Sequence, residues 1–249
     1  MKSLINDNIV KNNISILFIF GALYMPVLLF GQGVINSELN VEKKVSIGVD
    51  YPYTLQFPEG YDGREQLPLL IFLHGSGERG DNLDLVRVHG PWKFLSSNPG
   101  YRFIVLAPQC KMGEVWDPYK LDILIDEIVS SHPVDPGRIY LTGLSMGGFG
   151  TWDLAMLHPG RFAALAPVCG ASNLHRLAAQ KVKDLPIWVF HGALDETVPY
   201  QLSARVVKEL EGMGANVQFT SYPLAGHDSW TETYQNRELY DWFLLHEKE

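Results

Sequence analysis

Two rhythms of apolar and polar positions run through the chain. Residues 67–73, 103–107, 139–141, 163–168 and 187–190 are short, nearly unbroken apolar runs. Alternation cannot produce such runs, whereas strands buried on both faces do, and those occur in parallel sheets covered by helices. Between the runs the spacing turns helical. Residues 121–129 keep Asp122, Asp126 and Glu127 on the outer side, and Phe149, Trp152, Leu154, Ala155 and Leu157 mark a second helix. Residues 201–210 form a third that stops at Gly212, and 229–245 read as one closing helix. Residues 45–47 and 53–57 read as opening strands, 133–138 as a turn into the third run, and 217–222 as the last strand. Strand and helix alternating in this way predict an α/β fold with a mainly parallel central sheet and helices on both faces.

The chain has 249 residues, of which 46% are hydrophobic and 19% charged, which suits one domain with a large core. Residues 14–30 are set apart from it. They form an apolar run preceded by Lys2 and Lys11, interrupted by Gly21 and Pro26, and followed by Gly31-Gln32-Gly33. That is the layout of a secretory signal peptide with a small residue at the cleavage point, the alternative being an uncleaved anchor. The expectation is a signal peptide over 1–31 and a single catalytic domain over 32–249. A secreted or periplasmic protein without stable membrane association after cleavage follows from it.

Charge narrows the partners. Residues 1–31 contain Lys2, Lys11 and Asp7, so their removal takes the net charge from −8 to −9. A chain of that sign repels nucleic acid and anionic lipid over most of its surface, so neither is expected as a partner. No His-x-x-x-His or paired-cysteine spacing appears, so no metal and no cofactor is implied. Cys110 and Cys169 are too few for a disulfide scaffold.

Candidate chemistry centres on Gly143-Leu144-Ser145-Met146-Gly147, which joins a predicted strand to a predicted helix. A serine in so tight a turn takes a strained backbone, and the flanking glycines leave room for strand and helix to pass. A serine hydroxyl is a weak nucleophile at neutral pH. It needs a histidine base, and a carboxylate that fixes the base's tautomer. Asp195 follows the run at 187–190, and His227 follows the strand at 217–222, the order Ser, Asp, His along the chain. Asp195 is the acid this order points to, ahead of Glu196 and Asp228. His74 and His191, each before a glycine at a strand end, read as packed residues bonding loop backbone. Acyl transfer also needs N–H donors aimed at the developing oxyanion: Met146 offers one, and Ser76 in the glycine-rich loop His74–Gly77 is the first choice for the other. Glu78, Arg79 and Asp81 read as a salt-bridged lattice holding that loop. Trp116 and Trp230 lie in loops beside the expected site, where they can either wall a substrate or pack.

Five stretches carry a resemblance: His-Gly-Ser-Gly-Glu-Arg-Gly-Asp-Asn at 74–82, Ala-Pro-Gln-Cys at 107–110 with Trp116, Gly-Leu-Ser-Met-Gly-Gly at 143–148, His-Gly-Ala-Leu-Asp-Glu-Thr-Val-Pro at 191–199 and Gly-His-Asp-Ser-Trp at 226–230. Over nearly the whole of residues 32–249 the chain resembles the α/β-hydrolase superfamily. Within it, the chain is similar to bacterial esterases and predicted peptidases grouped with dienelactone hydrolases, feruloyl esterases and polyhydroxybutyrate depolymerases. The resemblance implies Ser145, Asp195 and His227 as triad and Ser76 and Met146 as oxyanion donors. It implies a carboxylic ester hydrolase acting through an acyl-enzyme on small-molecule or carbohydrate esters, acyl or feruloyl decorations of polysaccharide among them. Dienelactone hydrolases proper use a cysteine nucleophile, so dienelactone is not the expected substrate. A serine peptidase of the prolyl-oligopeptidase type and a non-catalytic binding protein on a hydrolase scaffold are the alternatives. In the strand order that the resemblance supplies, two strands separate those preceding Cys110 and Cys169. Three inter-strand steps then put the strand ends roughly 14 Å apart, too far for a disulfide, so two free buried thiols are expected.

Overall fold

A computed structural model describes residues 47–171 and 180–248. The segment read as a signal peptide, residues 45–46 and His175 lie outside the described residues. Seven strands form one sheet: β1 (Tyr53–Gln56), β2 (Leu67–Leu73), β3 (Ile104–Pro108), β4 (Val134–Leu144), β5 (Ala164–Val168), β6 (Ile187–Gly192) and β7 (Val217–Tyr222). Their order is β1-β3-β2-β4-β5-β6-β7, with β1 antiparallel to β3 and every other pair parallel. The mainly parallel α/β sheet is as the sequence predicts.

The unbroken apolar runs exist because each strand feeds two cores. Leu69, Ile71 and Leu73 of β2 pack on one face with Ile104, Leu106, Leu141 and Leu165. Leu70 and Phe72 pack on the other with Val105, Tyr140 and Ala164. The first face is covered by α2 (Pro118–Ser131), α3 (Met146–Leu157) and α4 (Tyr200–Glu211). The second is covered by α1 (Trp92–Ser97), α5 (Trp230–Gln235) and α6 (Arg237–Leu244). Burying both faces is the main source of stability, at roughly 25 cal/mol per Å² of apolar surface removed from water.

Several boundaries differ from the sequence reading. Helix α2 begins at Pro118 rather than 121, because the Asp117 carboxylate caps it by accepting from the N–H of Tyr119 (2.9 Å) and Lys120 (3.3 Å), with proline at the first helical position. The closing segment is two helices. Asn236 takes extended backbone (φ −76°, ψ 115°), and its side chain caps α6 by accepting from Glu238 N–H at 3.0 Å. Strand β4 already begins at Val134, where Val134 pairs with Leu67, so most of the predicted turn at 133–138 is strand. At the other end, Ile47 is not part of a strand. The short helix α1, with Trp92, Phe94 and Leu95 buried, had no clear periodic signal.

Both cysteines are free and buried. Strands β2 and β4 lie between β3, which precedes Cys110, and β5, which precedes Cys169, as the spacing argument requires.

Candidate active site

Ser145 sits between the end of β4 and the start of α3 with φ 52° and ψ −115°, one of two non-glycine residues with positive φ among those described. The flanking glycines make the turn possible. A Cβ on Gly147 would lie 1.9 Å from the carbonyl oxygen of Leu73, and one on Gly143 would lie 2.4 Å from that of Gly147. Strand β2 therefore passes directly beside the turn, and the Ser145 N–H is tied to the Val168 carbonyl at 3.0 Å.

Two further strand ends bring in the partners. Gly192 closes β6 so near the 225–226 backbone that a Cβ there would meet the Gly226 carbonyl at 2.0 Å. Leu194 N–H bonds the Ala225 carbonyl (3.0 Å), so the loops after β6 and β7 are stitched together. The result is a continuous line. His227 Nε2 lies 2.9 Å from Ser145 Oγ, and His227 Nδ1 lies 2.8 Å from Asp195 Oδ2. The structure brings together the three residues that the sequence singled out. Asp228 points elsewhere, accepting from Thr231 N–H (3.0 Å) and Oγ1–H (2.9 Å) at the start of α5.

Asp195 is buried, and burial alone would push its carboxyl up. Hydrogen bonds from His227 and from the N–H groups of Val198 and Thr197 (both 2.9 Å) outweigh burial and hold it below the ordinary carboxylate value. His191 is a further donor to this carboxylate. It is fully buried, with Nε2 3.1 Å from Asp195 Oδ2 and 2.9 Å from the Val198 carbonyl, and Nδ1 2.8 Å from Ser203 Oγ. Two acceptors face Nε2, so that nitrogen carries the proton. The reading of His191 as a packed residue holds, but it missed the contact with Asp195.

The loop after β2 lies against the serine turn because Leu73 pairs with Gly143 in the sheet. Ser76 opens a short 3₁₀ turn (Ser76–Glu78) there, and Met146 supplies the first N–H of α3. His74 fixes the loop's base. Its Nδ1–H donates to the Gly75 carbonyl (2.6 Å), and its Nε2 accepts from Cys110 N–H (3.0 Å), as expected of a packed residue bonding loop backbone. The salt-bridged lattice is not formed. Arg79 instead donates to the carbonyls of Ser76 (2.9 Å) and Glu114 (3.0 Å), while Glu78 lies 3.8 Å from His89. Backbone carbonyls in reach of a forked guanidinium satisfy it without a carboxylate.

Trp116 is both core and wall. It is buried, donates to the His74 carbonyl at 3.1 Å, and lines a cleft of about 390 Å³ with Val115, Ser145, Met146, Phe149 and Gly150. Trp230 stands edge-on to the His227 ring, centroids 5.2 Å apart, with His89 edge-on to it in turn at 5.5 Å. Cys169, Asp195 and His227 each bring one potential metal-ligand atom within 4.8 Å of the others. The carboxylate and imidazole already bond each other, and burial pushes the Cys169 thiol up to about 12, so its sulfur stays protonated.

A family model described as phospholipase/carboxylesterase matches residues 119–239. Acyl-protein thioesterase 1 of Neurospora crassa is 32% identical over 209 residues, which cover 66% of this chain and 81% of that protein. A bifunctional acetylxylan esterase/xylanase of Neocallimastix patriciarum is 29% identical over 187 residues, 70% of this chain. This chain spans only 26% of that relative's length. A thermostable esterase of known structure is 33% identical and superposes with a TM-score of 0.71 over 81% of this chain and 60% of that one. The chain belongs to the α/β-hydrolase superfamily.

Proposed function

We propose that the protein hydrolyses carboxylic esters through an acyl-enzyme on Ser145, and that acyl decorations of polysaccharide, acetyl or feruloyl, are its substrates outside the cytoplasm. The observation that carries this reading is the unbroken hydrogen-bonded line from Ser145 through His227 to Asp195. Asp195 holds the proton on Nδ1, which leaves Nε2 free to accept the Ser145 proton as Oγ attacks the ester carbonyl. The negative oxygen that develops is met by the N–H groups of Met146 and Ser76. Nε2–H then gives its proton to the departing alkoxide, and the C–O bond breaks. A water enters and loses a proton to His227. Its oxygen attacks the acyl carbon, and the returning proton leaves Ser145 as the free hydroxyl.

The aromatic wall at Trp116 and the edge-on Trp230 suit a flat acyl group or a sugar ring. The name of the acetylxylan esterase relative supports the polysaccharide assignment. The signal-peptide layout at the N-terminus supports the location. Ser145→Ala lowers kcat on p-nitrophenyl acetate by roughly three orders of magnitude or more under this reading. A variant retaining near wild-type rates overturns it. A screen of acetylated and feruloylated xylan oligosaccharides against simple aryl esters then tests the substrate.

A further inference from the structure

The carboxylate of Asp195 is engaged by more than the one histidine it would need to orient. Its side chain is fully buried. Oδ1 accepts from the N–H groups of Thr197 and Val198, and Oδ2 accepts from His227 Nδ1 at 2.8 Å and from His191 Nε2 at 3.1 Å. Two donors on each oxygen occupy the roughly four lone-pair sites of an ionised carboxylate.

These four donors differ in what holds them. Thr197 and Val198 follow Asp195 in the same loop, so they fix Oδ1 to a turn that moves with it. His227 is the group to be oriented. Only His191 of the four comes from a strand: it lies in β6, where it pairs with Ser221 of β7.

Behind His191 the line of contacts continues. With the proton on Nε2, Nδ1 is an acceptor, and the Ser203 hydroxyl of α4 stands 2.8 Å from it. Ser203 is buried, and its oxygen also lies 3.0 Å from the Gly170 carbonyl. Gly170 lies against Gly148 in the first turn of α3, since a Cβ on Gly170 would be 2.4 Å from Gly148 Cα. Gly148 is three residues past Ser145, so the contacts run from the acid back to the turn that carries the nucleophile. Packing alone does not account for the imidazole. An apolar ring would fill the same volume without two buried nitrogens that must each find a partner.

We propose that His191 is a positioning residue for the reaction: its Nε2–H holds Asp195 Oδ2 in line with His227 Nδ1, and Ser203 fixes the tautomer that puts the proton there. This rests on the ester-hydrolase reading, in which Asp195 orients the base. Neither His191 nor Ser203 lines the cleft beside Ser145, so their loss reaches turnover and not substrate binding. A misplaced catalytic group costs up to about a hundredfold in rate.

The test uses the full chain and two readouts. One is kcat and KM on p-nitrophenyl acetate. The other needs no turnover: the far-downfield proton resonance of His227 Nδ1–H on Asp195, assigned by its loss in His227→Ala. A glutamine amide nitrogen falls near the Nε2 position of a histidine and an asparagine one near Nδ1, so His191→Gln keeps the donor to Asp195 and His191→Asn removes it. His191→Asn lowers kcat by about tenfold or more with KM within about twofold of the wild type, and it shifts or broadens the resonance. His191→Gln returns kcat to within about threefold of the wild type and keeps the resonance. Ser203→Ala removes a single oxygen, lowers kcat about threefold with KM unchanged, and decides the matter where the histidine variants do not fold. Wild-type kcat in His191→Asn, or in Ser203→Ala where the histidine variants do not fold, overturns the assignment. Equal losses in His191→Gln and His191→Asn with the resonance unmoved also overturn it, because they mark a packing role. If the wild type turns over no ester while its resonance is present and is lost in His191→Asn, the ester-hydrolase reading fails and the hold of His191 on Asp195 stands.

Discussion

At Ser145 the backbone is held at φ 52° and ψ −115°, a conformation that costs a non-glycine residue on the order of 1–3 kcal/mol. What over-determines it is the close passage of β2, which only glycine at 147 permits. Gly147→Ala forces the Leu73 carbonyl aside in the middle of a fully buried strand and destabilises the protein by about 3 kcal/mol or more. Gly100→Ala, where an added methyl meets nothing within 4 Å, stays within about 0.5 kcal/mol of the wild type. Urea denaturation of the two variants checks this, and equal losses contradict it. That Ser145, Asp195 and His227 come together could be read from the sequence, because the chemistry proposed for them requires particular residue types in a particular order. The donation from His191 to Asp195 could not. It depends on the loop after β6 folding back so that residues four apart meet outside a helix, and nothing in the local pattern encodes that. The ties of Arg79 to two backbone carbonyls were equally hidden, since carbonyl acceptors leave no mark on the sequence.

Among the elements, the loop between β2 and the 3₁₀ turn is held by a titratable pin, His74. Burial lowers the pKa of His74 to about 4, against 6.5 for a free histidine. Between those values the unfolded chain holds more protons than the folded one, so acid favours unfolding. The stabilisation is complete above about pH 6.5 and is lost as pH falls toward 4, with about 2 kcal/mol going between pH 7 and pH 5. Protonated Nε2 can no longer accept from Cys110 N–H, so the loop beside the serine turn loses its anchor. His74→Gln is less stable at pH 7 but loses about 2 kcal/mol less than the wild type on the same acid step. Equal pH slopes in the two proteins contradict the assignment. Strands were the most legible elements, because burial on both faces writes itself as an unbroken apolar run. Helix ends were less so. The start of α2 was written in Asp117-Pro118, but the break at Asn236 interrupts a stretch whose apolar spacing continues across it into Leu239, Tyr240 and Phe243.

Across the whole molecule, β4, β6 and β7 deliver Ser145, Asp195 and His227 to one edge of the sheet. Helices on both faces leave the carboxyl ends of the strands as the place where ligands bind in such sheets. The central claim is that this edge carries one activated serine. A fluorophosphonate probe tests it directly, with the modified peptide identified by mass spectrometry. The account predicts one adduct per chain, on the peptide bearing Ser145, absent in Ser145→Ala and formed far more slowly in His227→Ala. No adduct, or an adduct on another serine while Ser145 stays unmodified, contradicts it.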